Sequence, residues 1–144
     1  FINGLTGITA ETLKDAPPVE KVIKDFQEFV GSLPMVGYNA AKSDLPILAD
    51  HGLDYSQQYK VDLYDEAFER RSSDLHGIAN LKLQTVASFL GFQGQSHNSL
   101  EDAHMTARVY ESFLESDQAR ELLGAESSLS NNPFGGLDLS QLFD

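Results

Sequence analysis

His97 and Asp102 lie five residues apart in the run GQSHNSLEDAHMTARVYESFL, which passes from a polar loop into a helical pattern. A histidine in the loop before a helix can meet a water molecule. A carboxylate one turn into the helix is held firmly enough to grip an ion. That division of labour suits phosphodiester hydrolysis by two metal ions. Carboxylates hold hard cations about 3.5 to 4 Å apart, and a base that titrates near neutrality takes the proton of the attacking water. Histidine is such a base. The pair also has a plain structural account: Ser99 followed by Asp102 resembles a capping box, and an acid in a first helical turn gains about 0.3 to 1 kcal/mol from the macrodipole. On this pair alone both accounts stand.

Metal chemistry needs a second carboxylate from another element, and VGYNAAKSDLPIL supplies Asp44. It follows a predicted strand and opens a predicted helix, which is where open α/β sheets place their ligands. An acid beside its Ser43 cap is the plainer reading. Asp62, Asp65 and Glu66 cluster after a second predicted strand. They read first as a solvated helix start, with Asp62 also placed to approach a metal from the adjacent strand. His51 and His76 read as surface residues, His104 as a helix residue beyond the site, and Met105 as peripheral packing. The one compact basic spot, Arg70 and Arg71 within ERRSSD, reads as a solvated connection or as a contact for a nucleic-acid backbone.

The elements that must position these groups are visible in the periodicity. APPVEKVIKDFQEFVGSL puts Val19, Val22, Ile23, Phe26, Phe29 and Val30 at helical spacing between Pro17–Pro18 and Gly31. MVGYNA is a short β-prone run. SDLPILADHGL predicts a helix with Pro46 in its first turn and Gly52 as its stop. YKVDLYDEAF begins as a strand and continues as a helix. LKLQTVASFLG predicts a helix ended by Gly91, and the last helix aligns Ala103, Thr106, Ala107, Tyr110, Phe113 and Leu114 inward. Near the start, Thr9 is followed three residues on by Thr12 rather than an acid, so no capping box is expected there. Helices alternating with short apolar strands make the class α/β, though two strands are too few for a self-sufficient sheet.

The chain has 144 residues, 41% of them hydrophobic and 10% aromatic, which suits one compact domain with a tail. It has no cysteine, which excludes disulfides and thiolate zinc sites and makes a reducing cytoplasm the simplest compartment. No apolar run approaches the roughly 20 residues of a membrane span, so no membrane partner is expected. A net charge of −12 argues against a broad basic face for nucleic acid. A carboxylate site filled with divalent cations would reverse that sign locally.

Taken in order, VGYNAAKSDLPIL, YKVDLYDEAF, LKLQTVASFLG and HNSLEDA resemble the successive landmarks of the DEDDh 3'-5' exonucleases, the proofreading-epsilon type of the ribonuclease-H-like superfamily. The opening LTGITAETLKDAPPVEKVIKDFQEFV is similar to the segment after that family's first three strands, so the likeness runs from about residue 3 to residue 115. The resemblance implies a mixed sheet flanked by helices and two-metal removal of nucleotides from a 3' end of single-stranded DNA or RNA. It implies two Mg²⁺ or Mn²⁺ ions, with Asp44 and Asp102 as metal ligands and His97 as base. Asn39 is the match for a substrate-binding asparagine, although it lies five residues before Asp44 rather than four, and Ser43 stands where the family has an aromatic.

The family's first motif, Asp-x-Glu on the opening central strand, has no match here. Residues 1–122 are therefore expected to be the C-terminal part of an exonuclease domain whose N-terminal strands are absent from this chain. Residues 123–144, rich in Ser, Asn, Gly and Pro, are expected to be a flexible tail. Its LDLSQLFD loosely resembles the peptides with which polymerase-associated proteins dock on a sliding clamp, so a DNA polymerase or clamp is an expected partner. The competing expectation is a non-catalytic module of the same fold within a replication or repair assembly.

Overall fold

The computed structural model describes residues 2–94 and 97–123. In chain order the elements are α1 (Ile2–Thr6), α2 (Ala10–Leu13), α3 (Val19–Val30), β1 (Met35–Gly37), α4 (Asp44–Asp50), β2 (Lys60–Asp62), α5 (Leu63–Glu69), α6 (Leu83–Phe89) and α7 (Ser99–Leu122). A single 3-10 turn, Arg70–Ser72, continues α5. The expected tail lies outside the described residues from residue 124 onward. Among the described residues no helix is long and apolar enough to cross a membrane.

β1 and β2 pair in parallel, with Met35 opposite Lys60, Val36 opposite Val61 and Gly37 opposite Asp62. Parallel neighbours need a crossover, and α4 supplies it. The N–H of Met35 donates to the Tyr59 carbonyl at 2.9 Å. Strand alternation then turns the N–H and C=O of Val36 away from β2. Both strands are only half-buried along their inner residues.

The core lies between the helices that follow the sheet. Leu63 and Ala67 of α5, Val86 and Ala87 of α6, and Met105, Val109, Tyr110 and Phe113 of α7 form one buried cluster with Leu75. Val36, Tyr38 and Val61 pack on its edge and join the sheet to it. The buried stripe of α7 keeps Thr106, Tyr110 and Phe113 as expected and adds Met105 and Val109, while Ala103 is exposed. Met105 belongs to the core rather than the periphery. α3 departs from expectation in a different way: Ile23 and Val30 are buried, but Phe29 is 83% exposed. Two reciprocal bonds between Gln27 and Asp54, together with Gln58 donating to the Gly31 carbonyl, tie α3 to the loop before β2.

Two local readings are overturned. Thr9 and Thr12 do form a capping box, because the Thr12 hydroxyl takes the place of an acid at 2.9 Å from the Thr9 N–H. Arg70 is neither solvated nor free for phosphate. It is 1% exposed, stacks its guanidinium 4.4 Å over the Phe113 ring, and bonds Asp74 at 2.7 Å and Asp117 at 2.6 Å. Arg120 closes the network on Asp74. Burial lifts the neighbouring Glu66 carboxyl above the ordinary range, against the pull of Arg70.

Removing one member of a buried pair strands the other charge, which costs about 3 to 5 kcal/mol. Arg70→Ala is therefore expected to lower the denaturant midpoint by that amount of stability. The double variant Arg70→Met with Asp117→Leu should recover most of it; no recovery would mean that the guanidinium matters beyond its pairing.

Candidate active site

The loop between β1 and α4 is held from beneath by Asp62. Its carboxylate accepts from the Asn39 N–H at 2.6 Å, the Ala41 N–H at 3.2 Å and the Tyr64 N–H at 3.1 Å. One side chain thus caps α5 and fastens the segment that leads to Asp44. The loop also folds tightly onto the strand end, where a Cβ on Gly37 would stand 2.4 Å from the Ala40 Cβ. Only glycine fits there. Asn39 takes φ 56°, a left-handed conformation uncommon for a residue with a Cβ, and the Asp62 bond holds it there.

Asp44 opens α4 and is exposed. Ser43 precedes it as the cap residue, but its hydroxyl does not cap the helix. That hydroxyl has two acceptors in reach, the Asn39 carbonyl at 2.9 Å and Asp44 Oδ2 at 2.6 Å. One oxygen of Asp44 is thereby oriented, and the other has no hydrogen-bond partner among the described residues.

At the other wall, α7 begins at Asn98, not at a Ser99 box. The Asn98 carboxamide oxygen accepts from the Leu100 and Glu101 N–H groups at 3.1 and 3.2 Å. His97, immediately before it, is exposed and takes φ 66°. Among the described residues, His97 and Asn39 are the two non-glycine positions with positive φ. Asp102 is half-buried, and its carboxylate has no hydrogen-bond partner among the described residues.

Asn39, Asp44, His97 and Asp102 all line one open cleft, together with Asp62, Ala103, Thr106 and Ala107. The small α7 residues keep that wall close and smooth. Asp44 and Asp102 offer hard carboxylate oxygens, the donor type that Mg²⁺ and Mn²⁺ take, and the chain has no cysteine to offer a thiolate instead. In kind the donors fit. Among the described residues no three His, Asp or Glu side chains converge closely enough to hold an ion by themselves. His51, His76 and His104 are not among the cleft residues.

Asp62 is the residue whose part the sequence concealed. Its oxygens accept three backbone N–H groups, so it braces the loop that leads to Asp44 and the start of α5. A signal was present, because an acid at a strand's last residue followed by a helical run is a helix-cap pattern. Its hold on Asn39 is a contact across 23 residues of chain, which no local pattern carries.

The exonuclease family RNase_T matches residues 1–110. The chain is similar to the DNA polymerase III subunit epsilon of Aquifex aeolicus, with 29% identity over 119 residues, covering 79% of this chain and 56% of that protein. It is also similar to PolC-type DNA polymerase III of Caldanaerobacter subterraneus, 30% identical over 80% of this chain and 8% of that polymerase. The PolC-type enzyme of Streptococcus pyogenes is 30% identical over 92% of this chain and 9% of its own length. The chain thus spans about half of the epsilon subunit and under a tenth of the PolC-type relatives. No solved structure matches it significantly.

Asp62→Ala is expected to release the Asn39 and Ala41 amides, each a lost charge-assisted bond worth about 1.5 to 3 kcal/mol. Amide hydrogen exchange at those two positions should accelerate at least tenfold relative to amides in α7. Exchange unchanged at both would mean that the loop holds its shape without the carboxylate.

Proposed function

This chain belongs to the RNase_T exonuclease family, of the DEDD type within the ribonuclease-H-like superfamily, and on that premise we propose that it is a metal-dependent 3'-5' exonuclease acting in DNA replication or repair. The observation that carries the reading is the contrast among three acids in one cleft. Asp62 is engaged by three backbone N–H groups, whereas Asp102 and one oxygen of Asp44 line the same space without a hydrogen-bond partner among the described residues.

In this reading Asp44 and Asp102 hold the ions, and the carboxamide of Asn39 contacts the substrate strand. His97 takes a proton from the attacking water. Its place in the loop ahead of α7 lets the imidazole reach the cleft while Asn98 fixes the helix start behind it. Bound Mg²⁺ or Mn²⁺ would polarise the scissile phosphate and stabilise charge on the departing 3' oxygen. Because two carboxylates fall short of a two-ion site, the reading includes two further acids. They would come from strands of the same sheet that pair with the outer edge of β1, where the Val36 backbone groups point. The names of the relatives suggest a replicative DNA polymerase as the assembly partner, and the sliding clamp remains the proposed contact of residues 137–144.

A second reading, a non-catalytic binding module, is favoured by the lack of a three-residue metal cluster among the described residues. The two separate on one assay with the natural polypeptide, a 5'-labelled single-stranded oligonucleotide and Mn²⁺. The exonuclease reading expects products shortened one nucleotide at a time from the 3' end, and a fall of about 10² to 10⁴ in kcat for His97→Ala. A His97→Ala protein as fast as the parent removes the assigned base, and no shortening by either protein favours the binding module.

A further inference from the structure

Beyond the carboxylates, the cleft is bordered by a row of aromatic rings attended by cations. Tyr64 and Phe68 lie four residues apart on α5 and so share one face of the helix. Tyr38 meets Tyr64 edge-on, with centroids 6.2 Å apart and planes at 88°. It is anchored by donating to the Leu81 carbonyl at 2.6 Å. Lys42 Nζ stands 6.0 Å over the Tyr64 ring, and the Arg71 guanidinium stands 4.8 Å over the Phe68 ring. Phe68 is 53% exposed. All but Lys42 line the same cleft as Asp44 and His97, and Lys42 sits two residues before Asp44.

The charge distribution gives this row its meaning. The chain carries 22 acidic and 10 basic residues. Arg70 and Arg120 are spent in the buried network, and Lys21 is paired with Asp25. Arg71 makes no ion pair among the described residues; Lys82 lines the same cleft, as does Lys60, whose ammonium donates to the Tyr55 and Gln58 carbonyls. Four acids line the same cleft, Asp44, Asp62 and Asp102 at the candidate site and Asp65 on α5. Along α5, Lys42 and Arg71 thus stand against the half-buried Tyr64 ring and the exposed Phe68 ring. Exposed rings beside cations fit bases that are free to unstack, with phosphates running between them. A duplex has no free base faces to offer, and a purely apolar partner would leave the cations without a counterpart.

We propose that the α5 face formed by Tyr64, Phe68 and Arg71, extended by Lys42, is the track for the single strand whose 3' end enters the site. The proposal rests on the exonuclease reading for the direction of that strand, but the track itself is a binding surface that can be measured without turnover. It also divides the basic spot seen in the sequence, giving Arg70 to the core and Arg71 to the ligand.

The test is equilibrium binding of fluorescein-labelled dT12 and of a 12-base-pair duplex to the natural polypeptide, with Ca²⁺ in place of Mg²⁺. Phe68→Ala and Arg71→Ala should each weaken dT12 binding about tenfold, and the duplex far less. Phe68→Leu keeps apolar cover over α5 but lacks a ring, so it should weaken dT12 nearly as much; this variant guards against a folding defect. Arg71→Ala should also flatten the slope of log Kd against log salt by about 0.7. Affinity for dT12 within twofold of the parent in all three variants overturns the proposal and leaves the face to a protein partner. Loss of dT12 binding in the variants of a parent that never shortens an oligonucleotide upholds the track and removes the nuclease reading instead.

Discussion

The carboxylate of Asp62 is the constraint on which the candidate site depends. Backbone N–H groups turned into a half-buried corner need acceptors, and a charged acceptor is worth more than a neutral one. Asp62 answers three of them from two segments, Asn39 and Ala41 on one side and Tyr64 on the other. The strand end, the loop and the start of α5 therefore have one relative arrangement. Asn39 keeps its left-handed backbone, Gly37 lets Ala40 close on the strand, and Asp44 leaves the loop pointing at the cleft.

The second wall is set by burial. α7 is 24 residues long, and its fixed part is the stripe from Met105 to Phe113, packed on α5 and α6. Arg70 extends that grip by joining α5 to the far half of α7 through Asp117. Everything N-terminal to Met105 then projects past the core. Asp102 and His97 are carried to the cleft by a helix whose stability comes from elsewhere, which lets their own surroundings stay open. The candidate site groups, exposed His97 and half-buried Asp102, sit at the N-terminal end of a helix whose burial begins at Met105.

Much of this was legible in the chain. Apolar spacing located α3, α6 and α7, and Gly31, Gly52 and Gly91 end helices with positive φ as glycine stops should. The ordered landmarks around Asp44, His97 and Asp102 marked three residues that do share one cleft. What failed to show had physical reasons. Thr106, Tyr110 and Phe113 of α7 are buried as expected, but Ala103 and Met105 exchanged places because alanines and a methionine are both compatible with an interior, and only the neighbouring helices decide which side is filled. Arg70 looked solvated because its partners lie 4 and 47 residues away. Ser99 and Asn98 are equally good caps by type, and the backbone of Asn98 decided between them. The cap role of Asp62 had a local pattern, but its hold on Asn39 and Ala41, 23 and 21 residues away, could not be read from neighbours in sequence.

The central claim is that Asp44 and Asp102 are the cation-holding carboxylates of this cleft, and calorimetric titration of the natural polypeptide with Mn²⁺ addresses it most directly. The account predicts saturable binding in the parent, weakened at least tenfold by Asp44→Asn and by Asp102→Asn. Asp65→Asn, a change at an acid on the same cleft wall, should leave it unaltered. Identical Mn²⁺ isotherms for the parent, Asp44→Asn and Asp102→Asn would contradict the claim.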